Sequence, residues 1–438
     1  MESLRTDVVV AGGGVSGFIA AIAAARNGSQ VLLIEKYGFL GGTLTAAMVT
    51  IPFSVFAWGE RILGGIPFEF FEKLRELGGA VYPPLDSTEL RQYEPGKLTF
   101  FDPELLGTVT DPEVAKYAIM EMVLAAGVQV LLHAMVVRVK KEGNAVRSLV
   151  VETKGGQLEV EGKVFIDSTG DGDVAASAGA VVAKGNSEGK LQPPTLIFRM
   201  GGVDYEKVRR FRPQFPQFMK KATANGDLDI KREDLLVFQG TPRKGEVLVN
   251  CSRVYDVDGT NPFDLTRAEI EARRQNWQIA TFLRKYVPGF ENAYPQDSAS
   301  QIGIRETRRI LGEYVLTEDD VLTGRKFPHR IAKNFWIIDI HNPDQPGTVI
   351  KLQRRGTTTY IPYECLVPLK VESLLVAGRA ISTTHEAHSS IRTMGHCMAV
   401  GQAAGTAAAI MHRTGLRAHD VEIDMLQSIL RAQGAIID

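Results

Sequence analysis

The run DVVVAGGGVSG, Asp7 to Gly17, constrains the fold more tightly than any other stretch of this chain. Asp7–Ala11 is β-branched and apolar without alternation, the pattern of a strand buried on both faces of a parallel sheet. Gly12–Gly17 reads as a glycine turn, and Val15–Asn27 as a helix of small residues closed by Gly28. Val31–Glu35 (VLLIE) is the next strand. Strand, turn, helix and strand make one βαβ unit, which commits the chain to an α/β fold with parallel strands.

Gly12, Gly13, Gly14, Val15, Ser16 and Gly17 fit the GxGxxG pattern, and Glu35 stands eighteen residues beyond Gly17. The spacing alone is weak, but between a strand and a helix, with an acid ending the second strand, it marks a dinucleotide site. Gly12 permits the tight turn. Gly14 lets a pyrophosphate reach the backbone at a helix N-terminus, where negative charge is stabilised. Gly17 lets helix and strand pack closely. Glu35, with Lys36 beside it, is placed to meet an adenosine ribose, and its charge would repel a 2′-phosphate.

Two further strands end in glycine. Lys163–Asp167 runs into Ser168-Thr169-Gly170-Asp171-Gly172-Asp173, and Ser373–Ala377 runs into Gly378-Arg379. Ligands bind at the carboxyl ends of parallel strands. Motifs near residues 12 and 378 therefore bring both ends of the chain to one extended ligand, and FAD suits that better than NAD. A nicotinamide-dependent dehydrogenase using only the first βαβ unit would leave the two later motifs idle. A non-catalytic flavin-binding module would not need the charged residues of 385–392.

The segments VVVAGGGVSGFIAAIAAARNGSQVLLIEK (8–36), VFIDSTGDGDVAASAG (164–179) and SLLVAGRAISTTHEAHSSIRTMGHCMAVGQAAGTAAAI (373–410) resemble the FAD-dependent oxidoreductases of the glutathione-reductase-like superfamily. They are similar to the branch that also resembles fumarate reductase and succinate dehydrogenase flavoproteins. The resemblance covers about a quarter of the chain. It implies a Rossmann-like FAD-binding domain, a doubly wound parallel sheet assembled from separated segments, with an inserted mixed α+β substrate domain. Relatives end the last strand in Gly-Asp or Gly-Glu to meet the ribityl hydroxyls, whereas this chain has Gly378-Arg379. The turn Gly41-Gly42-Thr43 runs beside the flavin in those families. Some relatives attach flavin through a histidine there; Thr43, Leu44 and Thr45 are no such nucleophiles, which implies noncovalent FAD.

The same comparison addresses the C-terminal stretch. Gly395, Ala399, Ala403 and Ala407 recur every four residues, as do Gly401 and Gly405, so the helix Thr393–Met411 can lie close to the sheet. Its N-terminus, at Gly395, is expected to face the flavin. HSSIRTMG, His388 to Gly395, resembles a fumarate reductase stretch in which Arg392 falls on a carboxylate anchor and His388 on a histidine near the substrate. The polar loop 385–392 is thus the expected catalytic side, with His385, Arg305 and His341 as further candidates. Metal binding is not expected: HEAH is not HExxH, and His396 and Cys397 are adjacent.

Composition sets the remaining bounds. A formal net charge of −1 over 438 residues gives no bulk attraction to nucleic acid. Three cysteines without a CxxC pair, no signal pattern and no run of about 20 apolar residues suggest a cytoplasmic protein without a membrane span. Residues 1–50, 111–195 and 341–438 are assigned to the FAD-binding domain, and 51–110 and 196–340 to the inserted one. Within these, Asp111 and Pro112 open a helix to Ala126, Ala268–Tyr286 reads as an amphipathic helix, and Arg309–Leu316 and Phe335–Ile340 as strands. The chain is expected to move a hydride between FAD and a small polar metabolite, hydroxylated or carboxylated. The second electron partner is unknown, and both oxidation of CH–OH and reduction of an activated C=C remain open.

Overall fold

The computed structural model describes residues 2–57, 60–83, 107–232, 234–354 and 356–438. Part of the expected insertion, 84–106, lies outside the described residues. A five-stranded parallel sheet organises the rest, in the order Leu374–Val376, Val164–Asp167, Val8–Ala11, Val31–Ile34 and Gln129–Leu131. Every residue of Val8–Ala11 is buried, as its unbroken β-branched run requires. The three glycine-bearing strand ends are adjacent: Ala11 pairs with Asp167, and Asp167 with Val376.

Two helices lie against this sheet and against each other, Val15–Arg26 and Met394–Thr414. Small residues make this possible. A Cβ on Gly17 would stand 1.8 Å from the Gly12 carbonyl oxygen. One on Gly401 would stand 2.3 Å from the Ser16 carbonyl, and one on Gly405 2.1 Å from that of Ala20. The Gly65–Glu76 and Pro112–Ala125 helices join the same apolar core. Asp111 caps the latter, its carboxylate accepting from the Glu113 N–H at 2.9 Å. A second sheet, Glu2–Arg5, Gly156–Glu161, Ala145–Thr153 and Met135–Glu142, turns at Gly143-Asn144 and Lys154-Gly155.

A separate antiparallel sheet, Val237–Phe238, Val247–Val249, Phe198–Gly201 and Tyr294–Ser298, has its own core with Ile279, Phe282 and Leu283 of the Pro262–Tyr286 helix. Met48 links the two bodies, packing with Leu196, Leu248 and Ala272.

Several elements differ from the sequence reading. The long helix starts at Pro262, not Ala268. Asn261 caps it, and its first turns are exposed, so hydrophobic periodicity could not mark them. Only Arg308–Ile310 of the expected Arg309–Leu316 strand is regular. Beyond it Gly312 leaves the Val182–Lys184 partner and makes a single bridge to Pro368, packed so close to the Glu364 and Val367 carbonyls that a side chain has no room. The strand expected at Phe335–Ile340 is Ile338–His341. Upstream, the Phe335 and Trp336 carbonyls accept from the hydroxyls of Ser54 and Ser390 instead of a neighbouring strand. The expected loop 385–392 is a helix, His385–Ile391, with Thr384 Oγ1 accepting from the Ala387 N–H.

The glycine contacts between the two central helices lead to a direct expectation. Gly405→Val should lower stability by about 2–3 kcal/mol through overpacking against the Ala20 carbonyl, read by chemical denaturation. Unchanged stability would mean the helices are not held backbone to backbone.

Candidate active site

One continuous cavity of about 720 Å³ runs from the first glycine turn to residues beside the separate antiparallel sheet, a size usual for cofactor and substrate clefts. At its outer end Gly12 takes φ +94°, and a Cβ there would meet the Ser168 carbonyl at 2.5 Å. Gly14 begins the Val15–Arg26 helix, and a Cβ on it would meet only Gly42 Cα, at 3.8 Å, beside the cavity it lines. The second glycine turn closes on the first: the Gly41 N–H donates to the Gly13 carbonyl at 2.8 Å, and Gly42 takes φ +50° beside Gly14. Val15 and Ser16, on the helix's first turn, and Thr43 line the same space. A bare backbone cradle at a helix N-terminus is what a pyrophosphate needs.

Glu35 is buried at the edge of this cradle. Its Oε2 accepts from the Gly13 N–H at 2.7 Å and its Oε1 from the Tyr37 N–H at 3.0 Å. Burial pushes the carboxyl up from its ordinary range, and these two backbone bonds oppose that. Lone pairs remain on both oxygens for ribose hydroxyls. Lys36 lines the cavity next to it.

Midway, the other two strand ends contribute Thr169, Gly170, Asp171, Gly378 and Arg379. Gly378 takes φ +89°, and a Cβ there would strike Ser16 Oγ at 2.6 Å. Arg379 Nη2 donates to Asp171 Oδ1, and its Nη1 to the Ile304 carbonyl at 2.6 Å. The carboxylate beside Arg379 is Asp171, from the neighbouring strand's turn, which also accepts from the Thr307 hydroxyl at 2.6 Å. Asp167 holds that turn, accepting from the N–H groups of Thr169 and Ala175, and burial pushes its carboxyl up to about 6.

Arg305, His341 and Arg392 come together at the inner end, with Asp339. Arg305 Nη1 donates to the Pro193 carbonyl at 2.6 Å and to Thr195 Oγ1 at 2.8 Å. Arg392 Nη2 donates to the Asp339 carbonyl at 3.2 Å and lies 3.4 Å from its Oδ2. Arg253 Nη2 lies 2.8 Å from His341 Nδ1, and Arg232 is matched by Asp234. Burial opposes the positive charge of Arg305, and so do Arg392, Arg253 and Arg232. A guanidinium does not give up its proton in a protein, so this opposition amounts to a demand for anions. Among the described residues neither Arg305 nor Arg253 has a carboxylate at ion-pair distance.

His385 and His388 are not on the cavity wall. His388 is fully buried, its Nε2 bonded to the Arg305 carbonyl at 3.1 Å, and burial pushes its pKa to about 3. That environment does not support the proton exchange near neutrality expected for it. His385 Nδ1 pairs with buried Glu306 at 2.9 Å, and Arg309 donates to the same carboxylate. The two histidines therefore prop the segment that carries Arg305. Gly395 meets the Phe53 and Ser54 carbonyls rather than the cavity, but its neighbours Thr393, Met394 and Cys397 line it. Burial pushes the Cys397 thiol up to about 12, which suits a packing residue. Among the described residues no group of His, Cys, Asp and Glu is arranged to hold a metal.

Sequence reasoning missed Asp339, Arg253 and Arg232, and the stacked pair Phe53–Trp336, ring centroids 4.1 Å apart, on the cavity wall. No local pattern marks them. The signal available for Asp339 was its place two residues before His341, on the same face of one strand.

The model of the FAD dependent oxidoreductase family matches residues 7–430. A dihydrolipoamide dehydrogenase of Chaetomium thermophilum is 57% identical over 37 residues, 8% of this chain and 7% of that one. Digeranylgeranylglycerophospholipid reductase 1 of Methanosphaera stadtmanae is 27% identical over 218 residues, 48% of this chain and 49% of that one. The chain thus spans half or less of the length of these curated relatives. A solved geranylgeranyl bacteriochlorophyll reductase-like protein of Thermoplasma acidophilum shares 14% identity at a TM-score of 0.44, over 99% of this chain and 85% of that one. The family match spans nearly the whole chain, and the chain belongs to the FAD-dependent oxidoreductases.

FAD fits the residues present. The glycine cradle and Glu35 suit its adenosine diphosphate half. Denaturation should release FAD intact, and Glu35→Ala should weaken its binding roughly ten- to a hundredfold, the worth of a charge-assisted hydrogen bond. Retention of flavin under dilution, unchanged from wild type, would place Glu35 away from the ribose.

Proposed function

We propose that this FAD-dependent oxidoreductase acts on a small metabolite bearing a carboxylate or similar oxyanion, held at the arginine end of the cavity. One observation carries the reading: Arg305 and Arg392 line a space continuous with the dinucleotide cradle, in surroundings whose positive charge exceeds the negative. Bound FAD supplies hydride transfer to or from the substrate carbon. The chain's own residues bind and orient. Arg392 and Arg305 present planar donors suited to two-pronged contact with an oxyanion. Its likeness to a fumarate reductase carboxylate anchor supports Arg392 in that role. The N-terminus of the Met394–Thr414 helix adds its partial positive charge, with the Gly395 N–H held by the Phe53 carbonyl and no side-chain cap from Thr393. Phe53 and Trp336 give an apolar wall and help keep water out.

An anaerobic screen of hydroxy acids, unsaturated acids and their uncharged amides, followed by flavin absorbance, tests the substrate class. Acids should reduce the flavin, or reoxidise it once reduced, and the amides should not. With an acid in hand, Arg392→Lys should keep FAD but slow flavin reduction on the order of a hundredfold in stopped flow, because lysine keeps the charge and loses the planar fork. Acids and amides acting equally well would contradict the anchoring role.

A further inference from the structure

His341 ends the Ile338–His341 strand, lines the cavity and is almost fully buried. Its Nδ1 faces Arg253 Nη2 at 2.8 Å. A guanidinium only donates, so Nδ1 accepts and carries no proton. The proton of the neutral ring then sits on Nε2. Asp339 Oδ1 lies 3.6 Å from Nε2, beyond hydrogen-bond length, so the Nε2–H is not consumed by it. Arg253 has little freedom to let go. It is buried, its Nη1 donates to the Gly347 carbonyl at 3.1 Å, and its backbone N–H and carbonyl are both bonded to the Gln275 amide.

We infer that His341 is a fixed, uncharged hydrogen-bond donor, its Nε2–H held for a substrate oxygen on which negative charge gathers, and that Arg253 is the positioning residue that sets this tautomer. The inference rests on the inner end being the substrate end. It narrows the substrate to a carboxylate with a carbonyl close by, an oxo acid, or the hydroxy acid that yields one by hydride loss. No bond to hydrogen is made or broken at His341. The ring polarises the oxygen and remains neutral, the use of an imidazole whose charged form its surroundings forbid. The groups facing it are Arg253, Arg305, Arg392 and Arg232, with Asp339 the nearby carboxylate. Burial and those four cations push its pKa well below the ordinary value. This differs from acid–base exchange, which would need a ring able to hold a second proton.

Two measurements on the FAD-loaded protein test it. The first is NMR of histidine ring nitrogens, with His341 assigned by its loss in His341→Gln. The wild type should show the Nε2–H tautomer and no imidazolium from about pH 8 to about pH 5.5, where ordinary histidines titrate. Arg253→Met should give mixed tautomers, and Arg253→Lys, which keeps a donor, should restore the wild-type pattern. A wild-type Nδ1–H tautomer, or an imidazolium near neutral pH, overturns the inference. The second is titration of flavin absorbance with pyruvate, a carboxylate with an adjacent carbonyl. Its Kd should rise about tenfold in His341→Leu and much less in His341→Gln, whose amide also donates. Equal affinity in wild type and His341→Leu defeats the donor role alone. Failure of pyruvate to perturb the wild-type spectrum defeats the anion-anchoring reading beneath it.

Discussion

Two helices meeting backbone to backbone hold this molecule's site together. The Val15–Arg26 and Met394–Thr414 helices come from opposite ends of the chain, and Gly401 and Gly405 bring the second onto the carbonyls of Ser16 and Ala20. Any larger residue would push them apart. The Gly378 turn lies against Ser16 of the first helix, and the parallel register brings three strand ends to one edge beside it. The cavity follows from this arrangement, because a glycine cradle, an Arg379–Asp171 pair and an arginine cluster can be continuous only if both chain ends share one sheet.

Both ends of the cavity favour negative charge, by different means. At the cradle, backbone N–H groups and the helix N-terminus act without any formal charge, and the acid present, Glu35, is tied to Gly13 and Tyr37. At the inner end the charge is formal and in excess, with Arg305 and Arg253 lacking carboxylate partners among the described residues. Burying such groups costs free energy unless an anion compensates, which makes the excess informative about the ligand. Asp171 shows the opposite case. It neutralises Arg379 in mid-cavity, where the motif would otherwise leave a lone cation.

The cofactor half was legible because its residues are constrained locally. A tight turn, a close helix and an acid after a strand each demand a residue type at a fixed spacing, and Gly12, Gly14, Gly17 and Glu35 satisfy those demands in sequence. The inner end was only partly legible. Arg305, His341 and Arg392 were singled out as reactive types in polar stretches, but their meeting depends on segments far apart in the chain. His388 misled because its type suggests chemistry, while its burial under Arg305 is a property of the packed fold. Arg253 stands in no motif; its meaning comes from the ring nitrogen it faces across 88 positions.

The central claim is that FAD and an anion share this one cavity. The most direct measurement is the absorption spectrum of the purified protein as oxalate is titrated in, for wild type and Arg305→Met. The account predicts a yellow protein whose flavin bands shift saturably with oxalate. In Arg305→Met the flavin should stay bound while oxalate affinity falls at least about tenfold, the loss of one charge-assisted contact. A flavin spectrum indifferent to oxalate, or an oxalate affinity untouched by Arg305→Met, would contradict it.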